Sequence, residues 1–134
     1  MLRVIHYPPV TNNSNKLRAR AHEDINLITL LVGAEESGLE VKSKKGTWVP
    51  IKASSNAIVC NIGDMMQLVT DGLLLSTTHR VISYPESQSK SRYSMPFFLH
   101  PSPDIILKSI FDETDEGVLA DDFLTERLKA IKLY

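Results

Sequence analysis

The chain has 134 residues and a mass of 15.0 kDa, which is the usual size of one domain. It is 43% hydrophobic and 23% charged, and this composition argues against a disordered chain. Its 15 basic and 16 acidic residues give a net charge of −1, so no basic excess indicates nucleic acid or an anionic membrane surface as a partner.

Three further features bear on the compartment. The apolar runs are far shorter than the ~20 residues that a membrane span needs. The N-terminus has no charged leader followed by an apolar core, so nothing indicates secretion. The single cysteine, Cys60, excludes an intrachain disulfide and fits a reducing compartment. We therefore expect a cytoplasmic protein, and we expect Cys60 to be buried because its surroundings are apolar.

Short apolar segments separated by turn residues predict strands along most of the chain. Pro8 and Pro9 end the first strand, because proline cannot donate to a sheet ladder, and Pro96 interrupts the hydrogen bonding of the last. Strands are predicted at residues 2–7, 26–32, 39–41, 47–51, 56–62, 65–69, 77–84 and 92–99, with a polar turn at 11–16 and a tight turn at 63–64. Closely spaced strands predict an all-β sandwich or barrel.

The last quarter of the chain changes character. Residues 121–134 have a helical pattern of apolar positions and acidic residues near the start, which suits the helix dipole. The apolar positions are Phe123, Leu124, Leu128 and Ile131. No linker divides the chain. We therefore expect a β core over residues 1–104 and a helical extension of the same domain over residues 105–134.

The motif HED contains two candidate metal ligands, His22 and Asp24. Side chains at i and i+2 of an extended strand share a face, so the two would point the same way. They supply two members of a two-His-one-carboxylate triad, which suits non-heme Fe(II) and leaves metal positions open. His79 lies in a predicted strand and could supply the third. Taken alone, the HxD motif also fits a surface ion pair, and His79 also fits a hydrogen-bonded core histidine.

Arg92 and Ser94 form a second i, i+2 pair. On one strand they would present a guanidinium and a hydroxyl to the same cavity. This combination suits a carboxylate ligand, because arginine is a planar, two-pronged donor and serine adds one hydrogen bond. An isolated RxS sequence also fits an arginine on the solvated side of a strand.

In this order and spacing, the motifs HED, HRV and RYS resemble the isopenicillin N synthase-like branch of the Fe(II)/2-oxoglutarate-dependent dioxygenases. The connecting segments carry the resemblance further over residues 2 to 104. Among these segments are LRVIHYPP, RAHEDINLITLL, GLEV, GTWVPI, VCNIGDMMQLVTDG, STTHRV and RYSMPFFLHP.

The resemblance assigns roles to particular residues. It implies that His22, Asp24 and His79 bind Fe(II), with no catalytic side chain beyond these ligands. It implies that Arg92 and Ser94 bind the distal carboxylate of 2-oxoglutarate and that Tyr7 lines the same pocket. Ile5 departs from the family pattern, because many plant members carry a polar asparagine there.

The resemblance also implies a fold and a reaction. The fold is a double-stranded β-helix, a jelly roll of two sheets, here with a C-terminal α-helix. The reaction consumes 2-oxoglutarate and O2 at Fe(II), oxidises a C–H bond of a small-molecule substrate, and yields succinate and CO2. Neither nucleic acid nor a membrane is expected as a partner.

Two alternatives stay open at this point. One is an iron oxidase of the isopenicillin N synthase type, which uses the same iron site without 2-oxoglutarate. The other is a truncated, non-catalytic fragment, because family members carry a substantial N-terminal region before the LRVIHYPP-like segment. Its absence would leave apolar surface uncovered, and we therefore expect self-association.

Overall fold

The computed structural model describes residues 1–10, 17–32, 37–54 and 56–131. Eleven short strands, two α-helices and one 3-10 helix, Pro85–Ser87, make up these ranges. The strands are β1 Ile5–Tyr7, β2 Ala19–His22, β3 Ile28–Val32, β4 Leu39–Lys42, β5 Trp48–Pro50, β6 Ile58–Ile62, β7 His79–Val81, β8 Arg92–Ser94, β9 Pro96–Leu99, β10 Ile106–Leu107 and β11 Val118–Leu119. The helices are α1 Asp64–Val69 and α2 Ala120–Ala130.

Two antiparallel sheets form the body of the molecule. One has the order β6-β3-β9 and the other β2-β7-β4-β5. Leu31 of β3 packs against Leu39 of β4 and Val81 of β7, so the apolar core lies between the two sheets. Burial of these side chains is the main force that holds the sheets together.

The N-terminal segment runs beside the last long pair of strands. β1 pairs with β8 in antiparallel register, and Leu2 forms an isolated bridge with Phe97 of β9. β9 follows β8 directly in sequence, and side chains of β1 and β8 line the space between the two larger sheets.

A second apolar cluster lies at one end of the body. Met65 of α1 packs with Leu107 of β10 and Ala120 of α2, and all three are buried. β10 and β11 form a two-stranded sheet that leads directly into α2. The second cluster thus packs α1 against β10 and α2.

Most of the predicted strands are confirmed within a few residues, but residues 65–69 were wrongly predicted as a strand. They form α1, because Met65, Leu68 and Val69 follow helical spacing and Met65 is buried against α2. The predicted turn at 63–64 is the start of that helix. The strand predicted at 92–99 is divided at Met95 into β8 and β9.

The terminal helix is confirmed over Ala120–Ala130, and residues 132–134 lie outside the described ranges, as does the turn predicted at 11–16. Sequence analysis did not predict β2, β10 or β11. Across the described ranges, no helix has both the length and the apolar character that crossing a membrane requires.

Cys60 was expected to be buried but is exposed. β6 alternates, and Val59 and Asn61 face the interior while Cys60 faces outward with Ile58. Because both faces of this strand carry apolar residues, the sequence pattern alone did not show which face is inward.

Candidate metal centre and cosubstrate pocket

Two neighbouring strands bring His22, Asp24 and His79 together. His22 ends β2 and is paired with His79, the first residue of β7, while Asp24 follows two residues after β2. One potential ligand atom from each residue lies within 4.8 Å of the others. Asp24 Oδ1 is 3.9 Å from His79 Nε2, and the two imidazole ring centroids are 4.3 Å apart. The residues therefore form a cluster of the size that one metal ion needs.

Hydrogen bonds to the backbone fix the tautomer of both histidines. His22 Nδ1 donates to the carbonyl oxygen of Arg20 at 2.7 Å, and His79 Nδ1 donates to that of Thr77 at 3.1 Å. A carbonyl can only accept, so each ring carries a proton on Nδ1, and Nε2 is the nitrogen left to face a metal. Histidine ligands of metals are oriented in this way.

The surroundings of His79 also favour the neutral form of its imidazole. Burial lowers the pKa of His79, while the Thr77 carbonyl and the nearby carboxylates oppose that shift and His22 adds to it. A neutral histidine is the form that binds metal. The set of two imidazoles and one carboxylate therefore fits a non-heme iron ion.

Two hydrogen bonds position Asp24, one to its side chain and one to its backbone. Its side chain is 8% exposed, and its Oδ2 accepts a hydrogen bond from the Thr29 hydroxyl at 2.7 Å. Its backbone carbonyl accepts a hydrogen bond from the Asp64 amide at 2.8 Å, at the start of α1. This close approach needs glycine at position 63, where a Cβ would lie 1.9 Å from the Asn26 carbonyl oxygen.

The second predicted pair also faces the interior. β1 and β8 set Tyr7 opposite Arg92 and Ile5 opposite Ser94, so these side chains share one face. A cavity of about 70 Å³ lies between the sheets. All six predicted site residues line it, namely Tyr7, His22, Asp24, His79, Arg92 and Ser94.

Arg92 is a buried cation with unused donors. It is 2% exposed, and within the described part of the chain its Nε and Nη1 have no hydrogen-bond partner. Its guanidinium carbon lies 5.5 Å from the centroid of the Tyr7 ring. Burial lowers the pKa of Arg92, and Arg18 lowers it further, while Tyr7 raises it. A bound carboxylate would satisfy these donors and compensate for the desolvation of the charge. The pocket therefore fits a carboxylate-bearing cosubstrate.

Sequence analysis missed three polar or aromatic residues of the site. Thr29, Asn61 and Phe98 line the cavity, and Thr29 contacts Asp24 directly. A hydroxyl residue within the apolar run 26–32 is the signal that could have identified Thr29.

Glu23, between the two HED ligands, belongs to a different environment. Its carboxylate accepts a hydrogen bond from Thr78 and lies 4.0 Å from Arg127 of α2. Glu23 and Arg127, together with Asp64 and Phe123, line a separate cleft of about 520 Å³ that contains none of the six predicted site residues. Glu23 thus connects the metal cluster to the terminal helix.

Comparison with known proteins agrees with this geometry. The family model described as the 2OG-Fe(II) oxygenase superfamily matches residues 1–101. A 2-oxoglutarate-dependent dioxygenase of Didymella fabae is 38% identical over 114 residues, covering 81% of this chain and 34% of its own length. Another from Monascus ruber, citB, is 36% identical and covers 92% of this chain and 38% of its own length.

Solved structures show the same similarity. A 2OG-Fe(II) oxygenase family protein from Caulobacter crescentus is 45% identical, with a TM-score of 0.87, over 97% of this chain and 45% of that one. A full-length Neurospora crassa protein, solved in complex with alpha-KG, is 31% identical, with a TM-score of 0.86, over 97% of this chain and 44% of that one.

This chain thus spans less than half the length of these relatives. Even so, the match extends over both sheets and every residue of the cluster and pocket. The predicted jelly-roll fold is confirmed by these neighbours, and the predicted cofactors, Fe(II) and 2-oxoglutarate, are those in the family's own description. The chain belongs to the 2OG-Fe(II) oxygenase superfamily.

Proposed function

We propose that this chain forms the metal- and cosubstrate-binding part of an Fe(II)- and 2-oxoglutarate-dependent oxygenase. The reaction oxidises a C–H bond of a small molecule and yields succinate and CO2. One observation carries the proposal, namely that a three-ligand cluster and an unpaired buried arginine, all among the described residues, line the same cavity. The relatives named as 2-oxoglutarate-dependent dioxygenases, and the Neurospora crassa complex with alpha-KG, support it.

In this proposal His22, Asp24 and His79 hold the metal. The carbonyls of Arg20 and Thr77 keep both imidazoles in the tautomer that offers Nε2. Three protein ligands leave other positions of the ion open. Bound Fe(II) would supply the redox chemistry, and the protein supplies the ligand geometry and the cavity between the sheets.

Arg92 and Ser94 bind the distal carboxylate of 2-oxoglutarate in this proposal. The buried guanidinium offers the N–H groups of Nε and Nη1, and Ser94, 7% exposed, adds a hydroxyl from the same strand face. The Tyr7 ring lies against the guanidinium and closes the pocket on that side. Because the distal carboxylate is anchored here, the opposite end of the cosubstrate is free to reach the metal ligands.

The proposal extends to the organisation and surroundings of the chain. Residues 1–104 form the oxygenase core and residues 105–134 its helical extension. The protein acts in the cytoplasm on a small molecule, with neither nucleic acid nor a membrane as a partner. The near-neutral charge of the chain supports this part of the proposal.

We further propose that this chain associates with a second copy of itself. The outward face of β6-β3-β9 carries Ile58, Cys60, Val32, Phe97 and Leu99. All five are exposed, so the outer sheet face is a continuous apolar surface. Such surfaces favour association in water.

An anaerobic titration with Fe(II), with and without 2-oxoglutarate, tests the central proposal. We expect tight Fe(II) binding and an absorption band of the Fe(II)–2-oxoglutarate chelate that appears only when both are present. His79→Ala should bind Fe(II) far more weakly and give no band. Absence of the band in the unaltered chain would contradict 2-oxoglutarate use.

Turnover distinguishes the remaining alternatives. Succinate formation that depends on added 2-oxoglutarate supports the oxygenase. Substrate oxidation without it would favour an iron oxidase of the isopenicillin N synthase type. Fe(II) and 2-oxoglutarate binding without any turnover would favour a non-catalytic fragment.

A further inference from the structure

Asp24 is the only carboxylate in the metal cluster of the described residues, and its two oxygens have different environments. Oδ1 lies 3.9 Å from His79 Nε2, within the cluster. Oδ2 accepts a 2.7 Å hydrogen bond from the hydroxyl of Thr29, which is 2% exposed. One oxygen is therefore directed to the histidines, while the other is occupied by a protein donor.

The neighbouring Asn26 determines which acceptor receives the hydrogen bond of the Thr29 hydroxyl. Asn26 is 1% exposed, and its Nδ2 donates both to the Ile28 carbonyl and to Thr29 Oγ1, each at 3.0 Å. Thr29 Oγ1 thus already accepts one hydrogen bond, and its single proton is free to be donated. The alternative acceptor, Asn26 Oδ1, is 3.4 Å away, whereas the charged Asp24 Oδ2 is at 2.7 Å. The short, charge-assisted bond to Asp24 is the stronger of the two.

The position of Thr29 is itself rigid. It is the second residue of β3, opposite Asn61 of β6 on one side and Phe98 of β9 on the other. A central strand with neighbours on both sides has little freedom to shift, so the hydroxyl is fixed relative to β6 and β9. The chain of hydrogen bonds from Asn26 through Thr29 to Asp24 thus connects the metal cluster to the core of the sheet.

We propose that Thr29 is a positioning residue that makes Asp24 a one-oxygen ligand. This inference rests on the proposed function. A carboxylate free to rotate can bind a metal through both oxygens, which would use a second coordination position. Holding Oδ2 with Thr29 leaves only Oδ1 for the ion. It would thereby leave the remaining positions of the ion open for the cosubstrate.

Four variants test this role in matched pairs. Thr29→Val removes the hydroxyl and keeps the branched shape, and it is compared with the unaltered chain. Thr29→Ala and Thr29→Ser differ from each other only by the hydroxyl, so they keep the test valid if the valine variant fails to fold. The fourth, Asn26→Asp, removes the donor to Thr29 and leaves the side-chain size unchanged. Thermal unfolding of the metal-free proteins checks that each variant is folded.

Fe(II) and 2-oxoglutarate titrations give the decisive readouts. We expect the Val and Ala variants to bind Fe(II) about 10- to 100-fold more weakly, as is typical when a partner of a metal ligand is lost. Their chelate absorption band should shift or weaken, because Asp24 can now bind through both oxygens. Thr29→Ser should stay within about threefold of the unaltered chain and keep its band. Asn26→Asp should also bind Fe(II) more weakly than the unaltered chain does.

The outcomes separate this inference from the proposed function. If the unaltered chain binds no Fe(II), the proposed function fails. If the unaltered chain binds Fe(II) and forms the chelate band, but Val and Ala do the same, the role of Thr29 is overturned. Equal weakening in Ser and Ala would also overturn it, because packing rather than the hydroxyl would then matter.

Discussion

Arg92 is the residue whose burial most needs a ligand to explain it. We predict that Arg92→Leu weakens 2-oxoglutarate binding roughly 10- to 100-fold, because a hydrogen bond to a charged group is worth about 1.5–3 kcal/mol. The pocket would keep its shape, since leucine fills part of the space without a charge. A titration of 2-oxoglutarate into the Fe(II)-loaded protein measures the effect.

The matched control is Ser94→Ala, which removes one hydrogen bond from the same strand face and leaves the guanidinium charge in place. It should weaken 2-oxoglutarate binding less than Arg92→Leu does, because the charged, multi-donor partner of the carboxylate remains. Fe(II) affinity should change little in either variant, because Arg92 is not in the metal cluster. Unchanged 2-oxoglutarate affinity in Arg92→Leu would contradict the assignment of the pocket.

The site residues were predictable from the sequence where they belong to one of the motifs. Three motifs and the segment before Pro8 named six residues, and the structure brings all six to one cavity. Thr29 was not predictable in the same way, because its role depends on the distance to Asp24 across a turn. The prediction for Cys60 was wrong for a related reason. Its strand is apolar on both faces, so alternation could not tell inside from outside.

Among the elements, the first residues of α1 hold the turn at residues 24–26, which follows β2, through backbone hydrogen bonds. Gly63 allows this approach, and we predict that Gly63→Ala destabilises the fold by about 3 kcal/mol, because a Cβ would meet the Asn26 backbone at 1.9 Å and backbone cannot move aside as a side chain can. Urea unfolding monitored by circular dichroism measures the free energy. Fe(II) affinity should fall too, since Asp24 and Asn26 must move.

Gly46→Ala provides the comparison. Gly46 lies between β4 and β5 with φ +81°, and nothing lies within 4 Å of the Cβ position. That variant should lose only about 1 kcal/mol, the cost of a left-handed backbone with a side chain. If the two substitutions cost the same, the contact between the start of α1 and the turn at residues 24–26 is not a tight one.

The same helix shows the limit of prediction at this scale. The run MMQLV is too short to distinguish a strand from a helix by composition, and it was assigned wrongly. Its helical state depends on contacts with distant residues, since Met65 packs on Leu107 and Ala120. Strands β3 and β6 were predictable because their apolar runs match the strand pattern locally.

Arg127 of α2 forms two ion pairs near the site, a short one with Asp64 and a longer one with Glu23. Arg127 Nη2 lies 2.5 Å from Asp64 Oδ2, and the Asp64 side chain is 10% exposed. We predict that Arg127→Met lowers the free energy of unfolding by about 1–2 kcal/mol, because it leaves a nearly buried carboxylate unpaired while keeping the aliphatic contacts. Thermal and urea unfolding both measure this.

Lys129→Met is the control on the same helix. Lys129 pairs with Glu126 at 3.1 Å, but both side chains are largely exposed. An exposed i, i+3 pair is worth less than about 0.5 kcal/mol, so this variant should be nearly neutral. Equal effects from the two substitutions would show that the Arg127–Asp64 pair does not anchor α2.

For the molecule as a whole, the sequence predicted the residues of the cavity between the two sheets better than it predicted the exposed outer face of β6-β3-β9. The interior is specified by motifs whose residues meet at one cavity. The outer face of β6-β3-β9 is as apolar as a core face, although this chain leaves it exposed. Ile58 is 63% exposed and Val32 48%. We therefore expect this surface to determine whether the chain self-associates in solution.

We predict that the chain associates through this outer sheet face in a concentration-dependent way. Sedimentation velocity should give a weight-average mass above 15.0 kDa that rises with concentration. Ile58→Lys should shift the chain towards monomer, because a charge on the face must be desolvated when two copies meet. Leu73→Lys is the control, since Leu73 is 72% exposed but lies outside this sheet. A monomer at every concentration, or equal effects of the two lysines, would contradict association through this face.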